Sequence, residues 1–92
     1  MIKSFADRDT QALYEGRRFR RFEGIREQAE KRLQILRRSR SLEDLRGLPS
    51  NHLEALSGDR RGQFSIRINR QWRVCFRWQA GDAYDVTIVD YH

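Results

Sequence analysis

The chain has 92 residues, one cysteine and a net charge of +6, with a pI near 10.4. That length allows one domain with a small core, burying only about 60–65% of the surface its unfolded form exposes, and the lone Cys75 excludes an internal disulfide. No apolar run approaches the roughly 20 residues of a membrane span. The opening MIKSFADRD lacks a signal-peptide stretch, so a cytoplasmic protein with no membrane association is expected.

Taken in chain order, Ile2 to Phe5 alternates apolar and polar residues, as a short strand does. Asp9 is placed to cap a short helix that runs through Glu15 and stops at Gly16. Residues 16–24, GRRFRRFEG, interleave four arginines with Phe19 and Phe22 and read as a loop. It suits an RNA or partner contact, or a solvated loop with one phenylalanine tucked inwards. Residues 24–38 read as a helix, because Ile25, Ala29, Leu33 and Leu36 recur at three- and four-residue spacing. Glu27 precedes Lys31 by four residues, the favourable order for a helical ion pair. Ser41 starts a second short helix with Asp44 as a capping-box-like partner, and Gly47 and Pro49 end it.

The second half reads as an antiparallel meander. Phe64, Ile66 and Ile68 alternate with polar residues, as do Trp72, Val74, Phe76 and Trp78, and then Tyr84, Val86 and Ile88. Such period-2 patterning buries one face. Short connections at residues 69–71 and 79–82 suit hairpins. In simple register Arg67 faces Arg73, and Arg77 faces Asp85. The first pair sets like charges against each other, which costs stability and is expected where an anion binds between them.

Seventeen of the nineteen basic residues are arginine. Arginine grips phosphate with a planar fork and stacks on bases. Thirteen basic and eight acidic residues fall in residues 1–50, so the first half supplies most of the field. Charge alone fits RNA, but also an acidic protein or an anionic membrane surface.

No metal or cofactor is expected. His52, His92 and Cys75 have no ligand spacing, and no glycine-rich loop of the Walker or dinucleotide type occurs. Gly58 and Gly62 in SGDRRG read as turn residues. What remains is Asp90-Tyr91-His92, which continues directly from a strand. Aspartate can orient a histidine, histidine titrates near neutral pH, and tyrosine can stack on a base. By themselves the three read more readily as polar residues that finish a strand.

The stretch LSGDRRGQFSIRINRQWRVCFRW, followed by GDAYDVTIVDYH, resembles the HigB branch of the RelE-like toxins of bacterial type II toxin–antitoxin systems. The MIKSF opening fits as well. The likeness runs over essentially the whole chain, with the middle helices matching only in kind. It implies one domain over residues 1–92 with an α+β, RelE-like fold, in which an N-terminal strand and helices pack on an antiparallel β-meander. It also implies a metal-independent endoribonuclease that cuts mRNA in the A site of the 30S ribosomal subunit and so inhibits translation and growth. A cognate helix-turn-helix antitoxin would neutralise it.

Carried over position by position, the family's terminal Asp-Tyr-His falls on Asp90, Tyr91 and His92, and the arginine of its Trp-Arg step on Arg73. The family's histidine four residues before the glycine of GDR is Glu54 here, and its lysine directly before that glycine is Ser57. His52 is out of register by two. RNA is cut without metal when its 2′-OH attacks the adjacent phosphate, which needs a base, an acid and positive charge on the phosphorane. His92 and Glu54 are candidates for the proton roles and Asp90 for orienting His92 or acting as acid. Tyr91 is the candidate for base contact and Arg73 for the phosphate. Arg67, Arg60, Arg61 and Arg77 are expected to bind RNA. Two other readings stay open: a ParE-like gyrase inhibitor of the same fold, which would not need the Asp-Tyr-His cluster, and a non-catalytic RNA- or ribosome-binding module.

Overall fold

The computed structural model describes residues 1–90, so Tyr91 and His92 lie outside the described residues. The helices are α1 (Arg8–Tyr14), α2 (Arg26–Arg38) and α3 (Leu42–Arg46), and the strands are β1 (Glu54–Ala55), β2 (Phe64–Arg67), β3 (Trp72–Gln79) and β4 (Asp82–Asp90). The strands form one antiparallel sheet in the order β1-β2-β3-β4. The expected strand at Ile2–Phe5 is realised as two single parallel bridges, Ile2 to Ala83 and Phe5 to Val86, along β4.

The amphipathic reading of α2 is borne out. Ile25, Ala29, Leu33 and Leu36 are all buried, against Val74, Phe76, Val86 and Ile88 in one core. The i,i+4 ion pair on this helix joins Arg26 to Glu30 at 3.0 Å. Helix α1 is capped two residues earlier than expected. Asp7 is extended (φ −145°) and accepts the Thr10 N–H at 3.0 Å, while Asp9 sits in the first turn, where a carboxylate complements the helix dipole. Gly16, at φ +90°, takes the left-handed backbone that stops the helix, as expected. Ser41 caps α3 through the Asp44 N–H at 3.1 Å, and the Asp44 carboxylate reaches back to the Arg40 N–H at 2.8 Å.

Segment 16–24 bears out the reading with one phenylalanine tucked inwards and exposed arginines, and corrects the loop assignment over Arg20–Ile25. Arg20–Ile25 is a 3₁₀ stretch, because Phe22 is driven fully into the core and meets Trp72 edge-on at 5.8 Å. Phe19 is half-buried, and Arg17, Arg18, Arg20 and Arg21 stay exposed.

Strand β4 corrects the simple register. Asp85 adopts φ +53°, and the β3–β4 pairing shifts between Cys75 and Arg77. That bulge inserts one residue. Arg77 therefore pairs with Tyr84, and the inward positions are Ala83, Val86 and Ile88, with Tyr84 only half-buried. The Arg77–Asp85 ion pair forms nonetheless, at 3.5 Å. The turn before β4 is tight, with Ala80 and Gly81 at φ +52° and +84°, as a two-residue hairpin requires. Among the described residues, no helix is long and apolar enough to cross a membrane.

Candidate active site

Val74 and Phe76 point into the core, so alternation turns Arg73, Cys75 and Arg77 to the other face of β3. Ser65 pairs with Cys75, Arg67 with Arg73, and Glu54 of β1 with Ser65. One face of the sheet thus gathers Glu54, Ser65, Arg67, Arg73 and Arg77. Of the charged residues on this face Arg73 is the buried one, at 8% exposure, next to the fully buried Ser65. Its Nε donates to Ser65 Oγ at 2.7 Å, its Nη2 to the His52 carbonyl at 2.6 Å, and its Nη1 lies 3.7 Å from Glu54 Oε1. A guanidinium taken this far from water must have its charge met by acceptors. Those contacts fix where its fork points.

Around Arg73 the remaining cations are set at different depths. Arg67 is half-buried and turns its Nε to the Asn69 carbonyl at 3.1 Å. Arg60 follows from the 3₁₀ turn Gly58–Arg60 and donates to Gln63 Oε1 at 3.1 Å. Arg61 is exposed just beyond that turn. Arg77 reaches across to the same turn, since a Cβ on Gly62 would lie 3.2 Å from its Nη1. A shallow hollow of about 290 Å³ lies beside these groups, lined by Glu54, Ser57, Asp59 and Arg60 among others. Burial pushes the Cys75 thiol up, against the opposing pull of Arg60 and Arg73. The thiol, fully buried, packs beneath the arginines.

Asp90 stands apart from Arg73 in one respect. It registers with Trp72, whereas Arg73 registers with Val89, so alternation sets Asp90 on the Trp72 side of the sheet. Its Oδ2 accepts from Gln71 Nε2 at 3.1 Å. On that side Arg21 lies 5.0 Å from the Phe22 ring centre and 5.9 Å from that of Trp72. The expectations for Tyr91 and His92 fall outside the described residues. Sequence reasoning missed Ser65, the His52 carbonyl and the two-residue strand that carries Glu54. Ser65 had a signal, being polar on the face of Arg67 and Arg73. A backbone carbonyl has none.

The family described as RelE-like toxin of type II toxin–antitoxin system HigB matches residues 3–92. The chain is similar to "Toxin HigB-1" of Vibrio cholerae serotype O1, with 34% identity over 94 residues that cover all of this chain and 98% of that one. It is also similar to "Endoribonuclease HigB" of Proteus vulgaris, with 45% identity over 40 residues, 44% of each chain. Among solved structures, a chain of the YoeB–YefM complex from Staphylococcus aureus superposes with a TM-score of 0.59 at 16% identity, over 100% of this chain and 98% of that one. At that identity the likeness is one of fold, and it is the α+β RelE-like fold expected from the sequence.

Proposed function

Because the chain belongs to the HigB-like family of RelE-like toxins of type II toxin–antitoxin systems, we propose that it is an endoribonuclease that cuts ribosome-bound mRNA without a metal. The observation that carries the reading is the buried, oriented guanidinium of Arg73 beside the exposed carboxylate of Glu54. In-line attack of a 2′-OH on its own phosphate builds negative charge on the phosphorane oxygens. A fixed guanidinium stabilises that charge without reorganising during the step. Arg67, across the strand pair, supplies a second cation. A carboxylate such as Glu54 can take the 2′ proton, and the imidazole of His92 can return one to the 5′ oxygen. Asp90 serves to orient His92, and Tyr91 to stack on a base.

The face is small and offers few groups able to read bases, so the ribosome presents the codon in its A site. Arg60, Arg61 and Arg77 bind the backbone beside the cleaved phosphate. The similarity to the Proteus vulgaris protein named as an endoribonuclease supports the reaction class. Membership of a toxin–antitoxin family supports a cognate antitoxin, of the helix-turn-helix kind, that blocks the activity.

The test is induced expression with mapping of mRNA 5′ ends, for the native chain and for Arg73→Ala. New ends within codons, together with growth arrest, are expected for the native chain only. The purified chain should cut mRNA on ribosomes and leave the same naked RNA largely intact. Comparable cutting of naked RNA would remove the ribosome from the account. Arrest without new ends, and with gyrase inhibited, would favour the ParE-like reading.

A further inference from the structure

Arg73 takes one of its acceptors from a distant loop, and that loop is built with unusual care. After the short 3₁₀ turn Pro49–Asn51 the chain passes through His52 at φ 45°, ψ 53°, in the left-handed region. That backbone is disfavoured for any L side chain and persists only where its surroundings hold it. It aims the His52 carbonyl at Arg73 Nη2, 2.6 Å away, and leaves the imidazole exposed. The holding group is Asn51, which is fully buried. Its Nδ2 donates to the Leu45 carbonyl at 2.9 Å, and its Oδ1 accepts from Arg32 Nη1 at 2.6 Å. Leu45 belongs to α3 and Arg32 to α2, so the elbow is bolted to both helices.

We propose that His52 serves the site through its backbone carbonyl, and that Asn51 and Arg32 are positioning residues which hold that carbonyl against Arg73. The inference rests on the reading of Arg73 as the phosphate-binding cation. It sets His52 apart from a proton-transfer histidine, although its place near Glu54 invites that role. The Asn51 side chain ties the elbow to both helices, through the Leu45 carbonyl and Arg32. Opening the elbow would let the Arg73 fork rotate away from the phosphate, and a shift of about 1 Å at a reacting group can cost on the order of 10²-fold in rate.

The test uses the full purified chain on ribosomes programmed with mRNA, reading the saturating rate and KM separately. Five proteins are compared: the native chain, Arg73→Ala, Asn51→Ala, His52→Gly and His52→Val. Both His52 variants remove the imidazole, but glycine accepts the left-handed backbone and valine resists it. His52→Gly is expected to cleave roughly tenfold or more faster than His52→Val, with similar KM. Asn51→Ala is expected to follow His52→Val. Should Asn51→Ala fail to fold, as read by circular dichroism, the exposed His52 pair decides alone. Equal and severe loss in both His52 variants would assign the role to the imidazole and overturn the inference. Equal retention in both would also overturn it. Full cleavage by Arg73→Ala removes the premise, and so separates failure of the functional reading from failure of the elbow.

Discussion

Arg67 and Arg73 stand directly opposite each other across β2 and β3, and their guanidiniums leave that point in opposite directions along β2. Arg67 turns forward to the Asn69 carbonyl, and Arg73 turns back to Ser65. Divergence relieves the like-charge contact without cancelling it, since neither arm carries its charge out of the shared face. The expected consequence is a trade between stability and binding. Arg67→Gln should leave unfolding free energy unchanged or raise it by up to about 1 kcal/mol, the range for cross-strand charge pairs. The same variant should bind RNA more weakly and lose roughly 0.7 from the slope of log affinity against log salt, one phosphate's share on a single strand. Urea unfolding and binding at several salt concentrations measure both. A stability loss of about 2 kcal/mol with an unchanged salt slope would show Arg67 to be a structural residue.

Glu54 projects from a two-residue strand and is exposed apart from its approach to Arg73 at 3.7 Å. At that distance, and with Ser65 and the His52 carbonyl still bonded to Arg73, the exposed carboxylate of Glu54 adds little to stability. Glu54→Gln should therefore fold and melt like the native chain. If Glu54 carries a proton in the reaction, the variant should lose about 10²–10⁴-fold in saturating rate. A loss confined to KM would make Glu54 a residue that tunes Arg73 and takes no proton.

The Asp7 carboxylate ties helix α1 to β4, beside the Ile88 N–H that donates to Thr10 Oγ1 at 3.0 Å. Asp7 accepts the Thr10 N–H and hydroxyl and, from β4, the Thr87 hydroxyl at 2.7 Å. Burial works against the charged form, but the Thr10 N–H, the Thr87 and Thr10 hydroxyls and the charge of Arg21 outweigh it. Asp7 is thereby held below its usual carboxylate value. The folded chain then binds this proton less readily than the unfolded chain. The contribution is complete above the unfolded value near 3.9 and is lost as pH falls through the lower folded one. Asp7→Ala should cost about 1–2 kcal/mol near neutral pH, the cost of losing a helix cap. The gap to the native chain should narrow below about pH 4. Urea unfolding of both proteins at neutral and acid pH checks the direction, and a gap that widens in acid would contradict it.

Periodicity made the core legible because burial itself imposes it. The spacing of Ile25, Ala29, Leu33 and Leu36 is the spacing of one helix face, and all four are buried. The Arg67–Arg73 register followed from a short hairpin alone. What escaped were features with no period. Asp85 bulges the ladder by adopting a backbone conformation that its side chain does not announce, and one extra residue moved Tyr84 out of the core. The 3₁₀ stretch Arg20–Ile25 formed because Phe22 was captured by the core, a tertiary event inside an arginine-rich sequence. Alternation placed Arg67, Arg73 and Arg77 on one face of the sheet, a candidate site readable as a set of charged residues. Its depth at Arg73 was not readable, because that depth is set by Ser65 and by the carbonyl of a residue 21 positions away.

The last prediction concerns the two histidines, which the functional reading treats differently. His92 lies two residues past the end of β4 in the sequence, and the acid role proposed for it requires an imidazole that exchanges a proton. His52 contributes a carbonyl and leaves its imidazole in solvent. His92→Ala should therefore reduce cleavage on ribosomes by at least about 10²-fold, the lower end for a general acid or base. Folding should be near normal, because the β4 residues that meet the core end at Ile88. The pH profile separates the histidines further. An imidazole that donates or takes a proton in the reaction makes the rate of the native chain depend on pH. That dependence should disappear in His92→Ala and persist in His52→Gly. Were the dependence to vanish in His52→Gly and survive in His92→Ala, the proton role would belong to His52. The elbow would then be a catalytic residue's seat, and Glu54 would no longer be needed as the base.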